Sequence, residues 1–136
     1  METDFAINPF TLRGAAVHIS SEGQTSVLQG DNMKQLLSAL PPGLLLGAFQ
    51  IACREDAHPN MWEMHPEGEE ILVMLTGSLD VEYADDRCRA RSSLGAGRGI
   101  VIPRGVWHRL ELREPGLLLT LTPLQGTRHA NEPEGT

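Results

Sequence analysis

Frequent turn residues divide this chain into short apolar runs, and that spacing limits the folds open to it. The 136 residues include 14 glycines and 9 prolines, a composition that favours short strands over long helices. The runs of strand length from Leu44 onward cover 44–53, 60–65, 70–75, 78–84, 87–94, 98–102, 107–112 and 117–122. Many short strands at regular spacing are typical of an all-β sandwich or barrel.

The first part of the chain has a different character. Residues 15–19 predict one more strand, and residues 31–40 predict the only convincing helix, with Asp31 as its cap and Pro41 and Pro42 at its end. We therefore expect one domain, in which an N-terminal strand and helix extension (1–42) precedes a β-barrel (43–125). The polar residues 126–136 are expected to form a flexible tail.

Size and charge exclude several classes of protein. A chain of this length fits one domain. Its net charge of −7 would repel a phosphate backbone, so nucleic acid and anionic membrane are not expected partners. No secretory signal is expected, because the first residues lack its basic and apolar regions, and no apolar run reaches the ~20 residues needed to span a bilayer. The chain has only two cysteines. A cytoplasmic location is the expectation.

The run at 70–75 is apolar on both faces of the predicted strand. Such a strand is expected to be buried on both sides, either by a helix or terminus of the same chain or by a partner subunit. Oligomerisation, expected in the form of a homodimer, is one way to cover the second face. The alternating residues are Ile71, Val73 and Leu75 on one face and Leu72 and Met74 on the other.

Two clusters about forty residues apart carry groups that bind metals. Side chains alternate along a strand, so Glu63 and His65 point to the same face, and the backbone advances ~3.3 Å per residue. Glu69 or Glu70 begins the next strand, and His108 opens a later one after a Pro-Arg-Gly turn. Imidazole and carboxylate groups on neighbouring strands are common ligands of divalent transition metals.

At these residues the chain resembles the cupin superfamily, whose motifs are G-x5-H-x-H-x(3,4)-E-x6-G and G-x5-P-x-G-x2-H-x3-N. The second motif is matched from Gly97 through Pro103 and Gly105 to His108, with Leu112 in place of the final Asn. The first is matched at His65, at Glu70, which suits the spacing better than Glu69, and at Gly77. Glu63 replaces its first histidine, and Ala57 replaces its leading glycine.

The resemblance implies a double-stranded β-helix, or jelly-roll, barrel with a metal pocket. The implied ligands are Glu63, His65, Glu70 and His108, a set that suits Mn(II), Fe(II) or Zn(II). A second arrangement is also open, in which His65, Glu70 and His108 form a triad and Glu63 is a catalytic general base.

Strand parity gives the expected surroundings of this pocket. The tryptophans Trp62 and Trp107 should face away from the metal, and His129, in the tail, should be solvated. The predicted lining is largely apolar, which suits a small organic molecule. It consists of Phe49, Ile51, Met61, Leu72, Met74 and Leu121.

Two classes of function follow from the resemblance. The first is a metal-dependent enzyme acting on a small organic molecule as a dioxygenase, isomerase, lyase or cyclase, since one fold hosts many reactions. The second is a non-catalytic module that binds or senses a small ligand. A purely structural barrel is a third, weaker possibility.

Overall fold

Two antiparallel sheets face each other in the computed structural model, which describes residues 7–31 and 33–134, with the backbone alone of Lys34. The strands are β1 (Ala15–Ser20), β2 (Thr25–Gln29), β3 (Gly43–Ile51), β4 (Trp62–Met64), β5 (Glu70–Met74), β6 (Ser78–Ala84), β7 (Arg89–Leu94), β8 (Arg98–Ile102), β9 (Trp107–Glu114), β10 (Gly116–Pro123) and β11 (Arg128–Ala130). Helix α1 covers Met33–Ser38, and a 3-10 turn covers Arg54–Ala57.

The strand order is that of a jelly roll. The first sheet runs β2-β1-β3-β10-β5-β8 and the second β11-β4-β9-β6-β7. Among the eight strands β3 to β10, the first pairs with the eighth, the second with the seventh, the third with the sixth and the fourth with the fifth. This double-sheet connection is the architecture that cupins share. The predicted all-β, cupin-like jelly-roll barrel with one short N-terminal helix is therefore confirmed.

The core lies between the sheets. Leu72 and Met74 of β5 and Leu118 of β10 meet Leu79 and Val81 of β6, and all five are nearly inaccessible to water. Burying this many large apolar side chains is the main stabilising contribution to a domain of this size.

Both ends of the chain contribute strands to the sheets. Strands β1 and β2 extend the same sheet as β3 and do not form a separate unit. In the predicted flexible tail, Arg128–Ala130 form β11, which pairs with β4. The predicted helix is present as α1 with shorter ends, and Asn32 lies outside the described residues.

Strand β5 is buried on one face only. Leu72 is 2% exposed, whereas Ile71 is 39% and Leu75 is 44% exposed. Ile71 is paired with Leu121 of β10 and Val101 of β8, so an apolar patch lies on the outer face of the sheet.

Within the described chain, no helix has the length and hydropathy of a bilayer span.

Candidate metal centre

Three strands bring the four predicted ligands together between the sheets. Glu63 lies on β4, Glu70 opens β5, and His108 lies on β9 opposite Glu63, while His65 follows β4 directly. One ligand atom from each residue can be chosen so that all four lie within 4.8 Å of one another. The structure thus places Glu63, His65, Glu70 and His108 around one point, as the motif spacing predicts.

The closest contacts run between imidazole nitrogens and carboxylate oxygens. His65 Nε2 lies 2.8 Å from Glu63 Oε1 and 3.4 Å from Glu70 Oε2. His108 Nε2 lies 2.8 Å from Glu70 Oε1 and 4.0 Å from Glu63 Oε1. Three of the four side chains are almost fully buried, whereas that of Glu63 is 32% exposed. Glu63 therefore lies on the open side of the centre.

Both imidazoles are fixed through their other nitrogen. His108 Nδ1 lies 3.4 Å from the carbonyl oxygen of Val106, which can only accept a hydrogen bond. His65 Nδ1 lies 2.9 Å from the Thr127 hydroxyl, and that hydroxyl donates its one proton to the carbonyl oxygen of Pro123. In each ring Nδ1 therefore carries the proton, and in the neutral form the lone pair is on Nε2.

The Nε2 atom of His65 fits a metal ligand. It is buried, and although Glu63 Oε1 is close, it makes no hydrogen bond of acceptable geometry. A buried nitrogen lone pair facing carboxylate oxygens is repelled unless a proton or a cation lies between them. The donor set of two imidazoles and two carboxylates therefore fits a divalent transition metal.

Electrostatics within the cluster favour its charged forms. Burial alone would lower the pKa of His65, but Glu63 and Glu70 outweigh it and raise that pKa to about 9. Burial would raise the pKa of Glu70, yet His108 and His65 hold it at about 2. Burial likewise opposes ionisation of Glu63, and the neighbouring imidazole of His65, 2.8 Å away, leaves the pKa of Glu63 below the usual value. In the absence of metal, a proton on His65 takes the place of the cation.

The predicted pocket lining is placed only in part as expected. Ile51, Leu72 and Met74 belong to the core cluster, whereas Phe49 is 50% and Met61 is 43% exposed. Thr122 points inward and donates a 2.6 Å hydrogen bond to Glu70 Oε2. Because neighbouring side chains on a strand alternate, Leu121 lies on the outer face of the sheet. Parity assigned from the sequence alone was wrong for Leu121.

Trp62 and Trp107 lie in a separate cluster with Ala84, away from the core that borders the ligands. The guanidinium groups of Arg89 and Arg109 lie 5.2 and 4.9 Å from the centre of the Trp62 ring. The two tryptophans therefore belong to the other face of the second sheet, as parity predicts.

The sequence reasoning missed three residues that hold the ligands: Thr122, Thr127 and His129. His129 Nε2 lies 2.8 Å from Glu63 Oε2, while its side chain is 51% exposed, as its place in a polar tail predicts. No motif marks these residues, and only the pairing of distant strands brings them to the site.

No family model and no curated protein matches this sequence. Among solved structures, a cupin-2 domain containing protein from Shewanella frigidimarina is 19% identical; the match covers 68% of this chain and 93% of that one, with a TM-score of 0.46. A mutant of oxalate decarboxylase from Bacillus subtilis is 16% identical over 64% of this chain, with a TM-score of 0.49. The match covers only 23% of the decarboxylase chain.

A third similar structure is hydroxypropylphosphonic acid epoxidase from S. wedmorenis in complex with fosfomycin. It is 17% identical over 60% of this chain and 43% of that one, with a TM-score of 0.44. At these identities the similarity concerns the fold alone. The jelly-roll order of β3 to β10 shows that the chain has a cupin-like fold, and His65, Glu70 and His108 meet inside it.

Proposed function

We propose that this chain is a metal-dependent cupin that acts on a small organic molecule, with Fe(II), Mn(II) or Zn(II) bound by Glu63, His65, Glu70 and His108. The observation that carries the proposal is the pair of imidazoles, each hydrogen-bonded at Nδ1 with Nε2 turned toward two carboxylates. This arrangement, in which an outer partner orients each metal-binding histidine, is common at metal sites.

The four residues have different roles in this proposal. Glu70 is buried, accepts a hydrogen bond from the Thr122 hydroxyl and lies near both imidazoles, so it acts as a fixed ligand. Glu63 is the most exposed of the four, so a substrate or water reaching the centre from the open side meets its carboxylate first. A bound divalent metal would supply Lewis-acid polarisation of a substrate oxygen, and Glu63 would bind the ion or accept a proton beside it.

A cleft lined by residues of both sheets supports binding of a small organic molecule, although none of the four proposed ligands lines it. It has a volume of about 340 Å³, which lies at the small end of the range for ligand pockets. Its lining is mainly apolar, with Ile100, Ile102 and Val106 beside Tyr83. Tyr83 is the register partner of His108 across β6 and β9, so this cleft borders the strand pair that carries a ligand.

The experiment begins with protein purified without a histidine tag. Elemental analysis, before and after reconstitution with Fe(II), Mn(II) or Zn(II), should find about one equivalent of metal per chain. Less than about a tenth of an equivalent, with no rebinding, contradicts the proposal.

Turnover separates the enzyme from the alternative, a non-catalytic binding module. The loaded protein is incubated with a panel of small organic acids, alcohols and carbonyl compounds, with and without oxygen. Product formation that is lost in Glu63→Gln but retained in Glu69→Gln, which changes an exposed neighbouring carboxylate, supports the enzyme. Tight binding of a compound without product supports the module.

We also propose that the protein is a cytoplasmic homodimer. The outer apolar patch around Ile71 and Val101 supports pairing with a second copy. Cys53 and Cys88 are both free and exposed, which fits a reducing compartment.

A further inference from the structure

The C-terminal strand is placed against the metal centre. Strand β11 pairs antiparallel with β4, and the register sets His129 opposite Glu63 and Arg128 opposite Met64. Paired residues project to the same side of a sheet, so His129 shares a face with Glu63. On its other edge β4 pairs with β9 through Glu63 and His108. The short ligand-bearing strand is therefore held between two others.

The two oxygens of Glu63 have different partners. Oε1 faces His65 Nε2 at 2.8 Å and is the oxygen within 4.0 Å of His108 Nε2. Oε2 lies 2.8 Å from His129 Nε2. With Oε2 engaged, Glu63 can offer Oε1 alone to an ion and cannot rotate freely about its terminal bond.

Glu63 needs such a partner more than the other ligands do. Its side chain is 32% exposed, whereas that of Glu70 is 5% exposed and is fixed by Thr122. An exposed glutamate adopts several rotamers in water, and ordering it lowers the affinity of any site that depends on it. The same C-terminal segment also contacts a second proposed ligand, since the hydroxyl of Thr127, two residues before His129, contacts His65 Nδ1.

We propose that His129 is a positioning residue of the metal centre, which holds Glu63 as a ligand through one oxygen. This inference rests on the proposed metal site and adds to it a residue outside the motif clusters. His129 is not itself a ligand here, because the group of atoms that lie within 4.8 Å of one another consists of Glu63, His65, Glu70 and His108.

The test measures Co(II) affinity and the Co(II) absorption spectrum in four proteins. His129→Phe keeps a ring and removes the donor, and His129→Gln keeps an N–H donor. Arg128→Gln is the matched control on the same strand, since Arg128 contacts Trp107 and Glu134 and no ligand. Unfolding of each metal-free protein shows whether β11 remains docked.

The expected result is a loss of about 10- to 100-fold in Co(II) affinity and an altered spectrum for His129→Phe. His129→Gln and Arg128→Gln should stay within about threefold of the parent protein, with its spectrum. Unchanged affinity in His129→Phe overturns the inference, and so does an equal loss in Arg128→Gln, which would show that only docking of the strand matters. If the unaltered protein binds no Co(II), Fe(II), Mn(II) or Zn(II), the proposed metal site itself fails.

Discussion

Metal binding should compete with a proton on His65, and the structure sets the size of the effect. The pKa of His65 in the metal-free protein is about 9, and the ring must lose this proton before Nε2 can bind an ion. At pH 7, which is about 2 units below this pKa, competition from the proton weakens metal binding by about 2.7 kcal/mol, or about 100-fold in affinity. We expect the apparent association constant to rise about tenfold per pH unit from pH 7 and to level off near the pKa of His65.

The assay is a titration with Mn(II) or Zn(II), buffered by a chelator, across pH 6.5 to 9.5. Calorimetry in two buffers of different ionisation enthalpy adds the number of protons released, expected to be about one at pH 7 and to decline toward zero above pH 9. Glu63→Gln removes one carboxylate that raises the His65 pKa. The apparent association constant of this variant should therefore level off at a lower pH than that of the parent protein. Glu69→Gln should leave the plateau in place. An affinity independent of pH in this range would refute the reasoning.

Four further outcomes are expected. His108→Ala should abolish binding of a divalent metal, seen by titration, while circular dichroism stays that of the parent; unchanged affinity would remove His108 from the site. The metal-free protein should be most stable to urea between about pH 4.5 and 6.5. Its stability should fall as rising pH passes the raised pKa of His65 and as falling pH approaches the lowered pKa of Glu70; a flat profile would contradict those pKa values. Leu72→Ala should cost about 2–5 kcal/mol of unfolding free energy, because Leu72 is 2% exposed in the core, and a loss below about 1 kcal/mol would contradict that packing. Sedimentation should show a dimer that Ile71→Lys converts to a monomer; a monomeric parent protein would refute the pairing.

Most of the barrel is predictable from the sequence because its strands end at turn residues. Strand β6 occupies Ser78–Ala84 and β8 occupies Arg98–Ile102, matching the expected runs. In β2, Thr25–Gln29, only Leu28 is buried, so the segment carries no alternating pattern. Strand β11 has no apolar alternation either, and its pairing with β4 determines its conformation.

The candidate site likewise contains residues that the sequence predicts and residues that it does not. His65, Glu70 and His108 stand at motif spacing, and Glu63 follows from strand parity. Thr122 is 52 residues from Glu70, and His129 is 66 residues from Glu63. Such contacts depend on the register between distant strands, which a single sequence does not specify.

The apolar run of β5 shows a second limit. Alternation in this run predicts that both faces are apolar, and the structure agrees, but only the face with Leu72 lies in the core. The pattern of residues gives the chemistry of the second face and does not identify what covers it.

The central claim is that four donor groups from β4, β5, β9 and the residue after β4 bind one ion. An anomalous difference map from a crystal grown with Mn(II) or Zn(II) tests it most directly. The expected result is one strong peak at about 2.0–2.3 Å from Glu63 Oε1, Glu70 and the Nε2 atoms of His65 and His108. A map with no peak between these side chains, or with the metal bound only elsewhere on the molecule, would contradict it.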